Sequence, residues 1–327
     1  MIYIETTNKD AAFHFSVEEY AMRHFSEPVF MIWQARKCAM IGSNQVAEAE
    51  IDMAYAEQED VQIVRRSSGG GTIFTDLGTF LYTMILPHSD RDSAEDIRRI
   101  VAEPVVKALN DMGCPAKVEG RNDILVNGGK IGGMAQYVRH GKICTHGSLL
   151  YDEDLEKLAR VIRADDEKIR SKALKSVRSR VTNIREHMPH DYSVMEFLAH
   201  LKQKLFCGGE FQEYTLTEAD LAQIDRIYQE RYGNPSWTFG RAPKFSLHNS
   251  KRFPEGGVGV YFEVEKGIVR SCSIRGDFLG IVPILGLEEM FEGKPFSRQA
   301  FEEAIVGASL QPYLGNITAD EFLSCIF

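Results

Sequence analysis

The chain is predicted to be an α+β protein with a mixed, largely antiparallel sheet and flanking helices, followed by a small C-terminal α+β accessory domain. Three observations predict this fold class. Strand-like runs come in clusters linked by turns, segments of helical periodicity lie between these clusters, and glycine and proline accumulate near residues 233–245. The predicted domains are therefore 1–244 and 245–327.

Four runs in the first part are rich in branched or aromatic residues and are bounded by glycine, proline or charged residues, as strands are. They span 61–64, 79–87, 123–127 and 130–138. Between Ser93 and Met112 apolar residues recur at helical spacing, and Gly113 follows as a C-terminal stop. These apolar positions are Ile97, Ile100, Val101, Val105, Leu109 and Met112. Further helices are predicted at 152–163, 193–206 and 217–232.

The C-terminal part contains one predicted two-stranded unit, from Gly257 to Arg275, which turns at Glu265–Gly267. Short helices are predicted after it, at 286–292, 297–306 and 318–325. A unit of this size fits a small accessory domain.

Composition narrows the class of protein. Hydrophobic residues make up 44% of the 327-residue chain, which is enough for a full core. The net charge of -9 argues against nucleic acid as a main partner, because binding to phosphates needs cations. We predict no membrane partner, since no apolar run approaches the roughly 18 residues of a span. The six scattered cysteines and the absence of a signal peptide predict reduced thiols in the cytoplasm, and no metal-site spacing is seen.

The densest motif is a glycine turn, Arg65 to Asp76, which reads RRSSGGGTIFTD. Three consecutive glycines permit unusual backbone angles and leave peptide N–H groups open to an anion. The two preceding arginines suit a carboxylate or a phosphate. The motif is not a P-loop, since no lysine follows the glycines. A glycine bulge in a hairpin is the alternative interpretation of the glycines alone.

A second constellation surrounds Lys130, which is followed by Gly132 and Gly133. A lone lysine is usually just solvated. Together with the glycine turn, however, a fixed ammonium group suits a reaction in which negative charge develops on a phosphate.

These motifs resemble those of the lipoate–protein ligase family. The segment from Arg65 to Thr79 resembles the first family motif, Lys130 to Ala135 the second, and His146 to Leu155 the third. The resemblance implies a catalytic domain like that of biotinyl and lipoyl ligases. It also implies that ATP and Mg²⁺ activate lipoic acid as lipoyl-AMP, which then reacts with a lysine of an acceptor protein. The predicted acceptor is a glycine-cleavage H or H-like protein, or the E2 lipoyl domain of a 2-oxoacid dehydrogenase.

Carried onto this chain, the resemblance implies Lys130 as the catalytic residue and Asp123 as a Mg²⁺ ligand, while His146 is a structural or pocket-lining residue. The implied substrate and ATP site comprises Arg66, Ser68, Gly69, Gly70, Gly71, Thr72, Ile73, Phe74, Asp76, Asn122, Asp123, Gly133, Ala135, His146, Arg178 and Arg180. The apolar tail of lipoate is predicted to lie among strand residues between Ile73 and Tyr82 and around Met134.

Residues 163–185 carry eight Lys or Arg residues against three acidic ones. They form either a solvated loop or, by the resemblance, a loop that covers the adenylate and places Arg178 and Arg180 near phosphate or the acceptor. Since lipoyl acceptors tend to be acidic around their lysine, we expect acceptor binding to weaken as salt is added.

Three alternatives compete with a ligase. An octanoyl or lipoyl amidotransferase needs a nucleophilic cysteine, but Asp123 stands at the matching position, and Cys144 with His146 is the nearest alternative pair. The biotin ligase interpretation is disfavoured because this sequence lacks the arginine-rich glycine loop that is usual in biotin ligases. A non-catalytic lipoate or adenylate carrier stays open, because Thr79, Gly132 and Met134 depart from the family motifs.

Overall fold

The computed structural model describes residues 1–89, 91–120, 122–162, 180–206, 211–240 and 245–327. Its centre is an eight-stranded sheet in the order β11-β1-β2-β6-β10-β9-β8-β7. The pairs β11–β1 and β1–β2 are parallel and the other five are antiparallel. The prediction of an α+β fold with a mixed, largely antiparallel sheet is confirmed.

The strands of this sheet are β1 (Ile2–Ile4), β2 (Val29–Trp33), β6 (Thr79–Pro87), β7 (Ala116–Glu119), β8 (Asp123–Val126), β9 (Gly129–Arg139), β10 (Lys142–Leu150) and β11 (Gln212–Tyr214). A smaller sheet has the order β4-β3-β5, formed by β3 (Cys38–Ile41), β4 (Gln62–Arg65) and β5 (Ile73–Thr75). The predicted strands at 61–64, 79–87, 123–127 and 130–138 therefore lie within a residue or two of observed strands.

Twelve α-helices are found in the described residues. They are α1 (Ala11–His24), α2 (Ala47–Glu50), α3 (Met53–Gln58), α4 (Ala94–Asp111), α5 (Leu155–Val161), α6 (Val194–Phe206), α7 (Glu218–Ile227), α8 (Pro235–Phe239), α9 (Leu285–Glu288), α10 (Arg298–Ile305), α11 (Gln311–Leu314) and α12 (Ala319–Ile326). The helical prediction at 217–232 corresponds to α7 followed by a π-helical turn, Tyr228–Tyr232. A 3₁₀ turn spans Ile184–His187.

Helix α4 shows why the periodicity was informative. The Ser93 hydroxyl caps its first turn by accepting from the Asp96 N–H, and Gly113, at φ 89°, follows its end. Five of the six predicted apolar positions are buried, but Ile100 is 56% exposed. The predicted helix is therefore present, and its buried stripe is narrower than the apolar pattern that indicated it.

Side chains alternate along the strands of the large sheet and build a core on each of its two faces. On one face Ile32 and Tyr82 pack with α4 and α6. On the other face Trp33 and Leu81 pack with α1 and with the smaller sheet. The space between the large sheet, α1 and the smaller sheet is where the glycine turn lies.

A third sheet, in the order β12-β13-β14, belongs to the C-terminal part and consists of β12 (Leu247–Phe253), β13 (Gly256–Glu265) and β14 (Ile268–Gly276). The predicted turn is present, with Lys266 and Gly267 both at positive φ, as a tight hairpin requires. One apolar cluster is made only of residues from Phe253 to Ile326. The boundary at 244/245 adjoins residues 241–244, which lie outside the described ranges, and it stays a prediction. In the described part of the chain, no helix has the length and apolarity that crossing a bilayer requires.

Candidate active site

The glycine turn joins β4 to β5, and three backbone segments meet there. Gly70 lies in the left-handed region at φ 88°, and its N–H donates to the carbonyl of Phe278 at 3.1 Å. A Cβ on Gly42 would stand 2.1 Å from the Gly70 carbonyl oxygen. Glycine is therefore required at both positions, at Gly70 by conformation and at Gly42 by close approach.

The two arginines that precede the three glycines donate side-chain N–H groups to backbone carbonyls. Arg65 is fully buried and donates to the carbonyls of Gly42, Gln45 and Thr238, among others. Arg66 donates to Met40 at 2.8 Å, and also to Gly69 at 2.8 Å and Gly71 at 2.7 Å. Both guanidinium groups thus shape the turn, while Arg66 also lines the cavity described below, and its contact with a substrate stays a prediction. Burial lowers the pKa of Arg66 to about 10, so it stays protonated near neutral pH.

A chain of buried hydrogen bonds connects the turn to α1. The Arg66 Nε donates to the Ser68 Oγ at 3.1 Å, and this hydroxyl lies 2.6 Å from the His146 Nε2. The His146 Nδ1 is 3.2 Å from both carboxylate oxygens of Glu18, and Thr83 donates to the same carboxylate at 2.7 Å. The sequence interpretation overlooked Glu18. Glu18 is only 1% exposed, and its role depends on contacts with residues far away in the sequence. No local sequence pattern therefore indicates it.

Lys130 lies at the start of β9, and its Nζ is 2.7 Å from the Asp123 Oδ1. Both side chains are a little over one-third exposed. A Cβ on Gly133 would lie 3.2 Å from the Lys130 Cε and Nζ, so the glycine leaves room for the lysine to fold back over the strand. Asn122 holds the facing strand by donating to the carbonyl of Met134 at 2.8 Å.

A cavity of about 160 Å³ connects the glycine turn with Lys130. One set of its lining residues is apolar and the other supplies cations, an amide and a hydroxyl. The apolar residues include Phe15, Trp33, Met40, Ile73, Leu81, Met134 and Leu279, and the polar ones include Arg66, Thr72, Asn122, Lys130 and His146. The lining contains Ile73, Leu81 and Met134, which belong to the region where the sequence analysis placed the apolar tail. It also contains residues that sequence reasoning missed, from α1, β2 and β3 and from the C-terminal part.

The structure brings together most of the predicted site residues. Those that line the cavity are Arg66, Gly70, Gly71, Thr72, Ile73, Asn122, Lys130, Gly133, Ala135 and His146. Ser68 and Gly69 lie directly behind the turn, where Ser68 is fully buried, and Asp123 stands beside Lys130.

The remaining predicted residues lie elsewhere. Phe74 is buried in the core of the smaller sheet. Asp76 accepts from the N–H groups of Gly78 and Asp154, and so joins two loops instead of facing the cavity. Arg180 is exposed. Arg178 and most of the basic segment, residues 163–179, lie outside the described residues.

The local surroundings of Thr79 and Gly132, two positions that depart from the family motifs, explain the residue found at each. The Thr79 hydroxyl donates to Glu153, a buried carboxyl group whose pKa is raised well above its usual range by desolvation. A Cβ on Gly132 would stand 2.1 Å from the carbonyl oxygen of Ser148, so a serine would not fit here without a backbone shift.

Cys144 and His146 do face the same side of β10, with Glu18 between them. In the described part of the chain, these three residues are the one group of His, Cys, Asp or Glu close enough to share a metal ion. Cys144 is fully buried, and desolvation raises the pKa of its thiol, which opposes formation of a nucleophilic thiolate.

Comparison with known proteins bears on this arrangement. Residues 10–206 match the family model described as the lipoyl protein ligase A/B catalytic domain. Residues 242–326 match the model of the bacterial lipoate protein ligase C-terminus. The chain belongs to the lipoate–protein ligase family. Among its relatives, this ligase is 37% identical to lipoate-protein ligase LplJ of Bacillus subtilis, with all of both chains covered. It is 31% identical to lipoate–protein ligase 1 of Staphylococcus aureus, over 99% of each chain.

Solved structures agree with the fold of the ligase. A bipartite lipoate protein ligase of Thermoplasma acidophilum, described with its E2 lipoyl domain, superposes with a TM-score of 0.68 at 27% identity. That match covers 75% of this chain and 98% of the other. P. falciparum LipL1 in complex with lipoate gives a TM-score of 0.78 at 20% identity, over 99% and 97% of the two chains, and bears on the fold alone. The ligase prediction is confirmed at the level of enzyme class.

Proposed function

We propose that the ligase activates lipoic acid with ATP as lipoyl-AMP and then transfers the lipoyl group to a lysine of an acceptor protein. One observation carries this proposal. The cavity combines an apolar lining, suited to an aliphatic chain, with a polar lining formed by the glycine turn and Lys130. A carboxylic acid with an apolar tail fits such a site because only its head needs charged or polar partners.

The bound acid would lie with its tail against Trp33, Phe15 and Leu81, and its carboxylate toward Lys130. A dithiolane ring is well suited to the aromatic side chains because sulfur makes favourable contacts with aromatic rings. Protein Ta0514 of T. acidophilum, 25% identical over 73% of this chain, has been solved with bound lipoic acid. That likeness supports lipoic acid as the substrate.

In the first step a carboxylate oxygen attacks the α-phosphorus of ATP, the bond from that phosphorus to pyrophosphate breaks, and lipoyl-AMP forms. Negative charge grows on the phosphate oxygens in the transition state. The Lys130 ammonium and the N–H groups of the glycine turn, which Arg66 holds in place, would stabilise that charge. Because these groups are already oriented, little reorganisation is needed when the reaction occurs.

Mg²⁺, when bound, would neutralise phosphate charge and orient the leaving pyrophosphate. The Asp123 side chain fits a role as its protein ligand. Its Oδ1 contacts Lys130, while its Oδ2 has no hydrogen-bond partner among the described residues. In proteins Mg²⁺ is commonly bound by one or two carboxylates, with substrate phosphates and water as the other ligands. The free oxygen of Asp123 is therefore enough for the protein's contribution.

In the second step a neutral acceptor lysine attacks the acyl carbon, the bond from that carbon to the phosphate oxygen of AMP breaks, and the amine loses a proton. The acceptor is proposed to be an E2 lipoyl domain or an H-type protein. The archaeal relative described with its E2 lipoyl domain supports the first of these. Cytoplasmic location stays a prediction from the cysteine pattern.

The decisive experiment is the intact mass of a purified apo-acceptor after incubation with the ligase, lipoate and Mg·ATP, with a control that lacks ATP. A lipoyl mass shift that needs ATP and disappears in Lys130→Ala is expected. Lys117→Ala is a matched control, since Lys117 also pairs with a carboxylate, Glu119, at 2.5 Å but lies away from the cavity. A shift that needs no ATP and uses an acyl-loaded donor would favour amidotransfer instead.

A further inference from the structure

The strand ends of the large sheet hold a second depression, a groove of about 920 Å³ beside the active-site cavity. Its floor includes Ile32 and Trp33, its walls are formed by the turn at Leu77 and by the start of α6, and its rim carries lysines and an arginine. Trp33 also lines the active-site cavity, so the two depressions share one side chain.

The groove and Lys130 lie at the same end of the sheet. β2 ends at Trp33 and β10 ends at Leu150, while β6 begins at Thr79 and β9 begins at Gly129. The register pairs Trp33 with Leu81 and Leu150 with Thr79, so these ends are level. Since β2 and β9 are three strand spacings apart in the sheet, the end of β2 on the groove lies about 14 Å from the strand of Lys130. A domain docked in the groove would therefore reach the reaction centre.

Three cations on the groove have no ion pair with a carboxylate in the described ranges. The Lys9 Nζ donates to the Gln34 Oε1 at 3.0 Å, and Lys37 donates to the carbonyl of Glu59. Arg36 is exposed, and the described residues offer its guanidinium no hydrogen-bond partner. These charges are available to a ligand.

The acidic residues that line the groove are already engaged. Glu5 pairs with Lys202 at 2.5 Å, and Asp152 pairs with Arg185. Asp76 accepts two backbone N–H groups. With four cations against three carboxylates in its lining, the groove is net positive on an acidic protein. It also offers an apolar contact at Met195, which is 62% exposed.

We propose that this groove docks the acidic face of the acceptor domain that carries the lysine to be modified. The charges on the rim and the apolar contact at Met195 suit a folded protein surface with acidic residues around an apolar centre. This inference rests on the proposed transfer to a protein lysine.

The test uses the full-length ligase with Arg36→Glu and, separately, Met195→Asp. Lys294→Glu serves as the control, because it makes the same charge change at an exposed site of the C-terminal part, away from the groove. Three rates are measured: lipoylation of an apo-E2 lipoyl domain, ATP–pyrophosphate exchange with lipoate, and lipoyl hydroxamate formation with hydroxylamine in place of the acceptor. The second and third rates report activation and transfer without protein docking.

We expect each groove variant to raise the KM for the acceptor at least tenfold, with exchange and hydroxamate formation within twofold of the unaltered ligase. Added salt is expected to raise the KM of the unaltered ligase more steeply than that of Arg36→Glu. An unchanged acceptor KM, or a parallel loss of exchange, would overturn the docking proposal. Failure of exchange in the unaltered ligase would instead overturn the proposed adenylation.

Discussion

Replacement of Asp123 by asparagine separates two roles that this carboxylate could have. Its ion pair with Lys130 spans 2.7 Å, but both side chains are more than one-third exposed. Exposed pairs of this kind contribute about 0.2–1 kcal/mol, because water screens the charges. If Asp123 only positions Lys130, Asp123→Asn should therefore slow adenylate formation by at most about fivefold. A larger effect requires a second role.

The second role is the proposed contact with Mg²⁺. Loss of a charged ligand should raise the Mg²⁺ concentration for half-maximal ATP–pyrophosphate exchange by about tenfold or more, which corresponds to ~1.4 kcal/mol. We expect that shift, measured as exchange rate against Mg²⁺ concentration. The control is Asp111→Asn, which breaks a similar exposed pair with Lys107 on α4. An unchanged Mg²⁺ requirement, with a rate loss below fivefold, would refute the metal role and leave the ion pair as the whole function.

Three further predictions concern the turn and its surroundings. Gly70→Ala places a side chain at φ 88° with its Cβ 2.8 Å from Leu279, whereas Gly141→Ala meets only the strain of φ 67°. Both should lose about 1–2 kcal/mol of unfolding free energy in urea from strain, and Gly70→Ala should lose more. Ser68→Ala should cost about 1–3 kcal/mol and raise the KM for lipoate, since it leaves buried partners unsatisfied; an unaltered urea midpoint would contradict this. Burial lowers the pKa of His14 from 6.5 to about 4, so over this range the unfolded chain binds a proton that the folded protein does not. The free energy of unfolding should therefore fall by about 3 kcal/mol as the pH is lowered from 6.5 to 4, and by less in His14→Gln.

The sequence predicted elements well where a single local pattern dominates. β6 and β9 are bounded by turn residues, and α4 has a cap, a period and a stop, so local signals agreed with the final fold. Helix α1 has a cap, Asp10, but neither an amphipathic period nor a glycine stop. It is buried on nearly all sides, and its two glutamates, Glu18 and Glu19, find their partners far along the chain. Strand β12 was missed because most of its residues are exposed and polar.

The site was predictable in the same uneven way. The glycine turn and Lys130 could be located from motifs, and the structure places both on one cavity. The use of the arginines could not be read from their type, since a guanidinium group satisfies backbone carbonyls as readily as phosphate. Leu279 could not be found either, because its approach to the turn depends on packing between distant parts of the chain.

The contact between the glycine turn and residues 278–279 has a consequence for how the ligase can be divided or recombined. One wall of the candidate active-site cavity, Leu279, lies more than 130 residues downstream of the last of the other lining residues, Ser148. The hydrogen bond from Gly70 to Phe278 ties the same segment to the turn. A chimera that joins residues 1–244 to the C-terminal part of a relative would therefore take this cavity wall from the relative. Where the relative's residue differs from Leu279 in size, we expect the choice between acids of different tail shape to change, even though every residue of the catalytic motifs is retained.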